Sequence, residues 1–155
     1  MADFKIITDT TADLPKEYLE SNGIGRIVIP YIVDGIAYGT GQEMDVKEFY
    51  ARMREGMMPT TSQVNPEAAK NCLREFLKED RQLLVLAFSS GLSGTCNNIK
   101  AAAEELMEEE KDCRIIVVDT LCASLGEGLL VHLAVQRKKM GDSMDAVADW
   151  VEQHK

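Results

Sequence analysis

The 155-residue sequence predicts a single α/β domain, over residues 1–155, with a mostly parallel central sheet flanked by helices. Short apolar runs of strand length alternate with segments that repeat apolar residues at helical spacing, as strand–helix–strand units do. The apolar run 83–88 breaks into a loop of glycines and hydroxyls, and alanine-rich helical sequence follows at once. No internal repeat, low-complexity segment or linker divides the chain.

The first forty residues contain three predicted strands and one helix. Apolar and β-branched runs predict the strands, and Asp13 is positioned as the N-cap of the helix. Asp34 and Gly35 form a two-residue turn signal, which predicts a hairpin. In order, we expect a strand over 4–8, a helix between Asp13 and Gly23, a strand over 26–33 and a returning strand over 36–38.

Two helices follow, separated by a second hydroxyl-rich loop at 59–63. Asp45 and Glu48 form a capping-box-like start for the first helix, and Gly56 ends it. Asn65 and Pro66 are the N-cap and first residue of the second helix. Their apolar faces are Val46, Phe49, Tyr50 and Met53 in the first, and Ala69, Cys72, Leu73, Phe76 and Leu77 in the second.

The second half repeats the order of strand and helix before ending in helical sequence. The helix after the serine–glycine loop carries an inward face of Ile99, Ala102, Ala103 and Leu106. A strand over 114–118 and a helix over 123–139 follow, the latter apolar over much of its circumference from Leu129 to Val135. Gly141 ends that helix, and Ser143 caps the last one.

Charge and cysteine usage exclude several classes of protein. The net charge of −9 argues against nucleic-acid binding and against adsorption to an anionic membrane surface. The four cysteines form no CxxC pair, so we expect them to be reduced, as in a cytoplasmic protein. No apolar run is long enough to span a bilayer, and the first residues do not resemble a signal region.

Small polar residues stand where three predicted parallel strands end. Asp9 and Thr10, Ser90 followed by Ser93, and Asp119 occupy these exits, and open parallel sheets bind ligands outside the carboxyl ends of their strands. A glycine- and hydroxyl-rich loop before a helix also suits an anion, because the first amides of the helix lack internal partners. The same residue types favour caps and turns without any ligand, so both interpretations stay open.

Two enzymatic interpretations are weaker. The segment 91–95 is one residue short of the esterase elbow G-x-S-x-G, and a nucleophilic Ser93 would need a base. His132 is predicted to be a packed core histidine, and His154 is near the C-terminus. Asp9 and Asp119 could hold Mg²⁺ for phosphoryl transfer, but bonding of both carboxylates to loop amides is the favoured interpretation.

Four ordered motifs give the chain a resemblance to the DegV family of bacterial fatty-acid-binding proteins. The segment 7–15 resembles the opening I-T-D-S-T-A-D-L-P of the family, and 61–63 its T-S-Q loop. The segment 89–95 resembles its S-S-x-L-S-G-T loop, and 119–128 its D-S-x-x-x-S-x-G-x-G segment. Val64 and Asn65 depart from the usual Pro-Ser, Cys96 replaces an aromatic residue, and Thr120 replaces a serine.

The resemblance implies a DegV-like N-terminal domain that acts as a carrier, not an enzyme, and needs no cofactor or metal. Its ligand would be a long-chain fatty acid, with Thr61 and Ser93 bonding the carboxylate and Ser62 and Gly94 beside it. Asp9, Thr10, Ser90 and Asp119 would be site neighbours. The family partner is a fatty-acid kinase that receives the acyl group. The family's second domain, with further basic and histidine contacts, is absent from these residues, so we also expect a homo-oligomer that covers an exposed apolar face.

Overall fold

The computed structural model describes residues 4–39 and 41–155. Its larger sheet is entirely parallel, with strand order β2-β1-β6-β7, which confirms the predicted fold class. In chain order the elements are β1 (Lys5–Asp9), α1 (Lys16–Ser21), β2 (Gly25–Ile27), β3 (Tyr31–Val33), β4 (Ile36–Tyr38), α2 (Val46–Arg54), β5 (Thr60–Thr61), α3 (Pro66–Leu77), β6 (Gln82–Ala87), α4 (Thr95–Glu109), β7 (Arg114–Asp119), α5 (Leu125–Met140) and α6 (Met144–His154).

The core lies in two layers, one on each face of the parallel sheet. Side chains alternate along the central strand β6, so Leu84 and Leu86 enter one layer, and Leu83 and Val85 enter the other. Helices α1, α5 and α6 cover the first face, and α3 and α4 cover the second. Because both faces of β6 are covered, its sequence is a continuous apolar run and does not alternate.

Most predicted helix ends are confirmed by their caps. The side chains of Asp45, Asn65 and Ser143 accept hydrogen bonds from the first free amides of α2, α3 and α6. Gly141 adopts a left-handed conformation after α5, with a φ of 100°. Each cap satisfies backbone groups that a helix end leaves without internal partners.

The single strand predicted over 26–33 is wrong, because the segment contributes to two sheets. Residues 25–27 form β2 at the edge of the parallel sheet, whereas 31–33 form β3 in a small antiparallel sheet of order β4-β3-β5. Pro30 stands between them and has no backbone N–H to donate to a ladder. The predicted hairpin is confirmed, and the hydroxyl-rich loop contributes the short strand β5.

Asp13 is not the N-cap of a helix. A short 3-10 turn, Thr10–Ala12, follows β1, and Asp13 ends that turn in a left-handed conformation. Helix α1 begins three residues later, at Lys16, after Pro15. The Asp13 side chain instead accepts a hydrogen bond of 2.6 Å from the hydroxyl of Ser124, so it joins the turn to the start of α5.

The apolar faces of α2 and α5 are less covered than expected. None of the residues of α2 is fully buried, and Val46 and Tyr50 are 66% and 53% exposed. Helix α5 is buried at Leu130 and Val131, but Leu129 is 58% exposed. The periodicity locates an apolar face in both helices, but it does not say what lies against that face.

All four cysteines are free. Among residues 4–39 and 41–155, no helix combines the length and the apolarity that a bilayer crossing requires.

Candidate functional site

The carboxyl ends of three adjacent strands form one edge of the parallel sheet, and two aspartates tie their loops together. Asp9, at the end of β1, accepts a bond of 2.9 Å from the amide of Phe88, just after β6. Asp119, at the end of β7, accepts bonds of 3.1 Å from the amides of Ser90 and Leu121. Both carboxylates therefore bind loop amides, as the favoured interpretation predicted.

A third carboxyl group, that of Glu127, neighbours Asp9 and is fully buried. The Thr8 hydroxyl lies 2.9 Å from its Oε1, and the Thr11 hydroxyl lies 3.0 Å from its Oε2. The Thr11 hydroxyl also contacts Oδ1 of Asp9. Burial and then the neighbouring Asp9 charge raise the pKa of Glu127 to about 8, which favours the neutral form of this side chain at pH 7. Burial also raises the pKa of Asp9, against the bonds from Thr11 and Phe88.

Sequence reasoning did not identify Glu127 as a site residue. The signal is a glutamate that shares a helical face with Leu130, Val131 and Ala134, all of which are buried. An ionisable residue at a buried position of an amphipathic helix needs hydrogen-bond partners. Its partners come from β1 and the following turn, more than a hundred residues earlier in the sequence.

Ser93 stands immediately before α4 and is held by Thr95. The Thr95 amide donates to Oγ of Ser93 over 3.2 Å, and the two hydroxyl oxygens lie 3.0 Å apart. Thr95 is fully buried, and its Oγ1 accepts a bond from the Val64 amide. The Ser93 hydroxyl donates to Oγ1 of Thr95, and the Thr95 hydroxyl can donate to Oγ of Ser93 instead when the Ser93 proton turns to a ligand.

The hydroxyl-rich loop faces Ser93 across a cavity. Strand β5 pairs with β3, with Thr61 opposite Tyr31, and this pairing brings the loop to the sheet edge. The cavity has a volume of about 370 Å³. It is lined by Thr11, Ile29, Thr61, Ser62, Gln63, Phe88, Leu92 and Ser93. Thr61, Ser62 and Ser93, three of the four residues predicted to bind ligand, therefore lie together.

A second cavity of about 500 Å³ adjoins the first and shares Thr11, Ile29 and Thr61 with it. One of its walls is made by apolar and aromatic side chains of β3, of α2 and of the segments just before each of them. The rings of Tyr31 and Phe49 meet edge to face with centroids 5.3 Å apart. The wall comprises Val28, Ile29, Tyr31, Met44, Val46, Phe49 and Tyr50, with Arg26, Asp13 and Glu43 among the polar lining.

The other predicted site residues have different positions. Gly94 lies beneath the side chain of Gln63, which a Cβ at position 94 would overlap. Thr10 lines the second cavity, and its hydroxyl accepts a 3.0 Å bond from the Ile29 amide. Ser90 and Asp119 line neither cavity, so the structure gives them a role in holding the loops.

Neither enzymatic interpretation gains support from the geometry. His132 is bonded through Nδ1 to the Tyr18 hydroxyl at 2.8 Å, whereas the hydrogen bonds of Ser93 among the described residues are to Thr95. Within the described part of the chain, no three histidine, cysteine or carboxylate side chains are grouped as a metal site would require.

The comparisons with known proteins identify the family. The family model described as "Uncharacterised protein, DegV family" matches residues 3–155. The chain belongs to the DegV family. A DegV domain-containing protein of Clostridium perfringens is 43% identical to it over 157 residues, which cover 100% of this chain and 54% of that relative.

Solved structures of proteins described as fatty-acid-binding share the fold. A DegV family protein from Thermus thermophilus, described for its fatty acid binding, matches with a TM-score of 0.84 and 34% identity, over 97% of this chain and 52% of that one. A stearic acid-binding protein from Eubacterium ventriosum matches with a TM-score of 0.88 and 25% identity, over 96% and 52%. The chain spans about half the length of each of these three relatives.

Proposed function

We propose that this DegV chain binds a long-chain fatty acid, with the carboxylate at Ser93 and Thr61 and the tail in the two adjoining cavities. The observation that carries the proposal is the meeting of two hydroxyl-bearing loops across one cavity that continues into an apolar, aromatic-walled one. Ligand sites of this kind are mostly apolar, with a few converging polar groups.

The chemistry of the first cavity suits a carboxylate. The hydroxyl of Ser93 has a proton to donate, and Thr61 and Ser62 offer two more hydroxyls from the opposite wall. Ser93 also stands at the N-terminus of the 15-residue helix α4, where the helix dipole favours negative charge. The solved relatives described as fatty-acid-binding proteins support the choice of ligand.

A Ser93→Ala variant tests the carboxylate contact. We expect delipidated wild-type protein to bind oleate. It should bind oleyl alcohol more weakly than oleate, because the alcohol lacks the carboxylate. Loss of one hydrogen bond to a charged group costs about 1.5–3 kcal/mol, so Ser93→Ala should bind oleate about 10- to 150-fold more weakly in a calorimetric titration.

Ser21→Ala is the matched control, because Ser21 is an exposed serine on α1 whose side-chain bonds within the described residues are to the Tyr18 carbonyl and Asn22. It should bind oleate as the wild type does. Equal oleate affinity in Ser93→Ala and the wild type would remove Ser93 from the carboxylate site, and a wild type that binds no oleate would contradict the proposed function.

Presentation of the bound acid to a fatty-acid kinase is the finer part of the proposal. It is supported by the resemblance of the four motifs to the family, which implies a carrier and not a catalyst. The corresponding assay mixes the loaded protein with such a kinase and ATP and follows acyl phosphate. No transfer from a loaded protein would contradict this part alone.

A further inference from the structure

The Thr11 hydroxyl contacts two carboxyl groups but has one proton. Its oxygen lies within hydrogen-bond distance of Oδ1 of Asp9 and Oε2 of Glu127. It can donate to only one of them, so the other contact requires a proton from the carboxyl side. If both carboxylates were ionised, one of these two close oxygen–oxygen contacts would have no proton between its atoms, and buried lone pairs would face each other.

Backbone amides favour the ionised form of Asp9 more than that of Glu127, so the proton belongs on Glu127. Asp9 accepts from two amides, those of Thr11 and Phe88, each over 2.9 Å, and amide donors stabilise the ionised form. Glu127 contacts one backbone amide, that of Asp9, and the hydroxyls of Thr8 and Thr11, which can accept as readily as they donate. The arrangement with every bond made has Glu127 donating to Thr11, Thr11 donating to Asp9, and Thr8 donating to Glu127.

We infer that Glu127 is a positioning residue that acts as a neutral carboxylic acid: by donating to Thr11 it fixes the wall shared by both cavities, and loss of its proton weakens ligand binding. Thr11 lines both cavities, so a change in its side chain alters the site without any contact between Glu127 and the ligand. The inference rests on the proposed function.

The direction of the pH dependence follows from the charges that face Glu127. Asp9 on β1 is the charged group that acts on Glu127, and the hydroxyls of Thr8 and Thr11 and the Asp9 backbone amide supply its other contacts. Below a pKa of about 8 the proton is present and the chain of bonds is intact. Above it, a second buried negative charge appears beside Asp9, so affinity should decrease as the pH rises.

Titrations with dodecanoate test this inference, because its carboxylate is ionised throughout the range used. The wild type should bind about tenfold more weakly at pH 9 than at pH 7, with a midpoint near 8. Glu127→Leu removes the donor and should weaken binding at pH 7. Glu127→Gln should restore it, because its amide donates to Thr11 and accepts from Thr8, and its affinity should not change between pH 7 and 9.

Carbon NMR of the Glu127 carboxyl in the wild type keeps the test independent of the variants. The carboxyl should have the chemical shift of a neutral acid at pH 6.5 and titrate near the affinity midpoint. An ionised Glu127 at pH 6.5, or Glu127→Gln with the wild-type pH profile, overturns the inference. Equal wild-type affinities at pH 7 and 9 overturn it while leaving the proposed function intact, whereas no binding at any pH overturns both.

Discussion

Asp9→Asn should lower the free energy of unfolding by about 3 kcal/mol, because one buried backbone donor loses its acceptor. Both carboxylate oxygens of Asp9 are used: Oδ1 accepts from the Thr11 amide and Oδ2 from the Phe88 amide. An asparagine can present only one oxygen, so its NH2 group must face one of these N–H groups. Asp9 is 1% exposed, so water cannot replace the lost acceptor. Urea unfolding at pH 7 measures the loss.

Asp119→Asn is the matched control, since it makes the same chemical change at the neighbouring strand exit. A single oxygen of Asp119, Oδ1, accepts from the amides of both Ser90 and Leu121. An asparagine can keep its oxygen in that place, and we expect a cost below about 1 kcal/mol. Equal losses in the two variants would contradict the account of the strand-end network.

Gly128→Ala should destabilise the protein by about 2 kcal/mol through a backbone collision. A Cβ at Gly128 would lie 2.5 Å from the Ala12 carbonyl oxygen and 3.2 Å from Cδ2 of Leu14. The first obstacle is backbone, so α5 must move away from the turn that carries Thr11. Overpacking of this kind costs up to about 3 kcal/mol, and the better helix propensity of alanine offsets about 1. Thermal and urea unfolding measure the net loss.

Gly94→Ala provides the comparison for Gly128→Ala. Its Cβ would also overlap a neighbour, but that neighbour is the end of the exposed Gln63 side chain, which can rotate away. We expect a stability within about 0.5 kcal/mol of the wild type. A loss in Gly94→Ala as large as that in Gly128→Ala would contradict this explanation. A Cβ that meets a movable side chain would then cost as much as one that meets the backbone of the turn.

The parallel sheet and its polar edge could be predicted because their signals are local. The apolar run of β6 and its glycine–hydroxyl loop adjoin in the sequence, and the caps of α3 and α6 depend on residues within three positions of the helix start. Strand exits of a parallel sheet meet at one edge whatever the strand order. The positions of Asp9, Ser93 and Asp119 therefore followed from the fold class.

The features that sequence reasoning missed depend on contacts between distant segments. Glu127 acquires its role from Thr8 and Thr11, and nothing near residue 127 marks it except an acidic residue on an apolar face. The apolar spacing of α2 is the same for a core helix and for a helix that borders a cavity, so its exposure could not be read from periodicity. The division of 26–33 had one local signal, Pro30, which the apolar run outweighed.

The most direct test of the carboxylate site is isotope-filtered NMR of the protein with palmitate labelled with carbon-13 at the methylene next to its carboxyl group. The account predicts nuclear Overhauser contacts from this methylene to the β-protons of Ser93 and the methyl group of Thr61, which line one cavity. Contacts to neither residue, with the methylene placed elsewhere on a palmitate-bound protein, would contradict it.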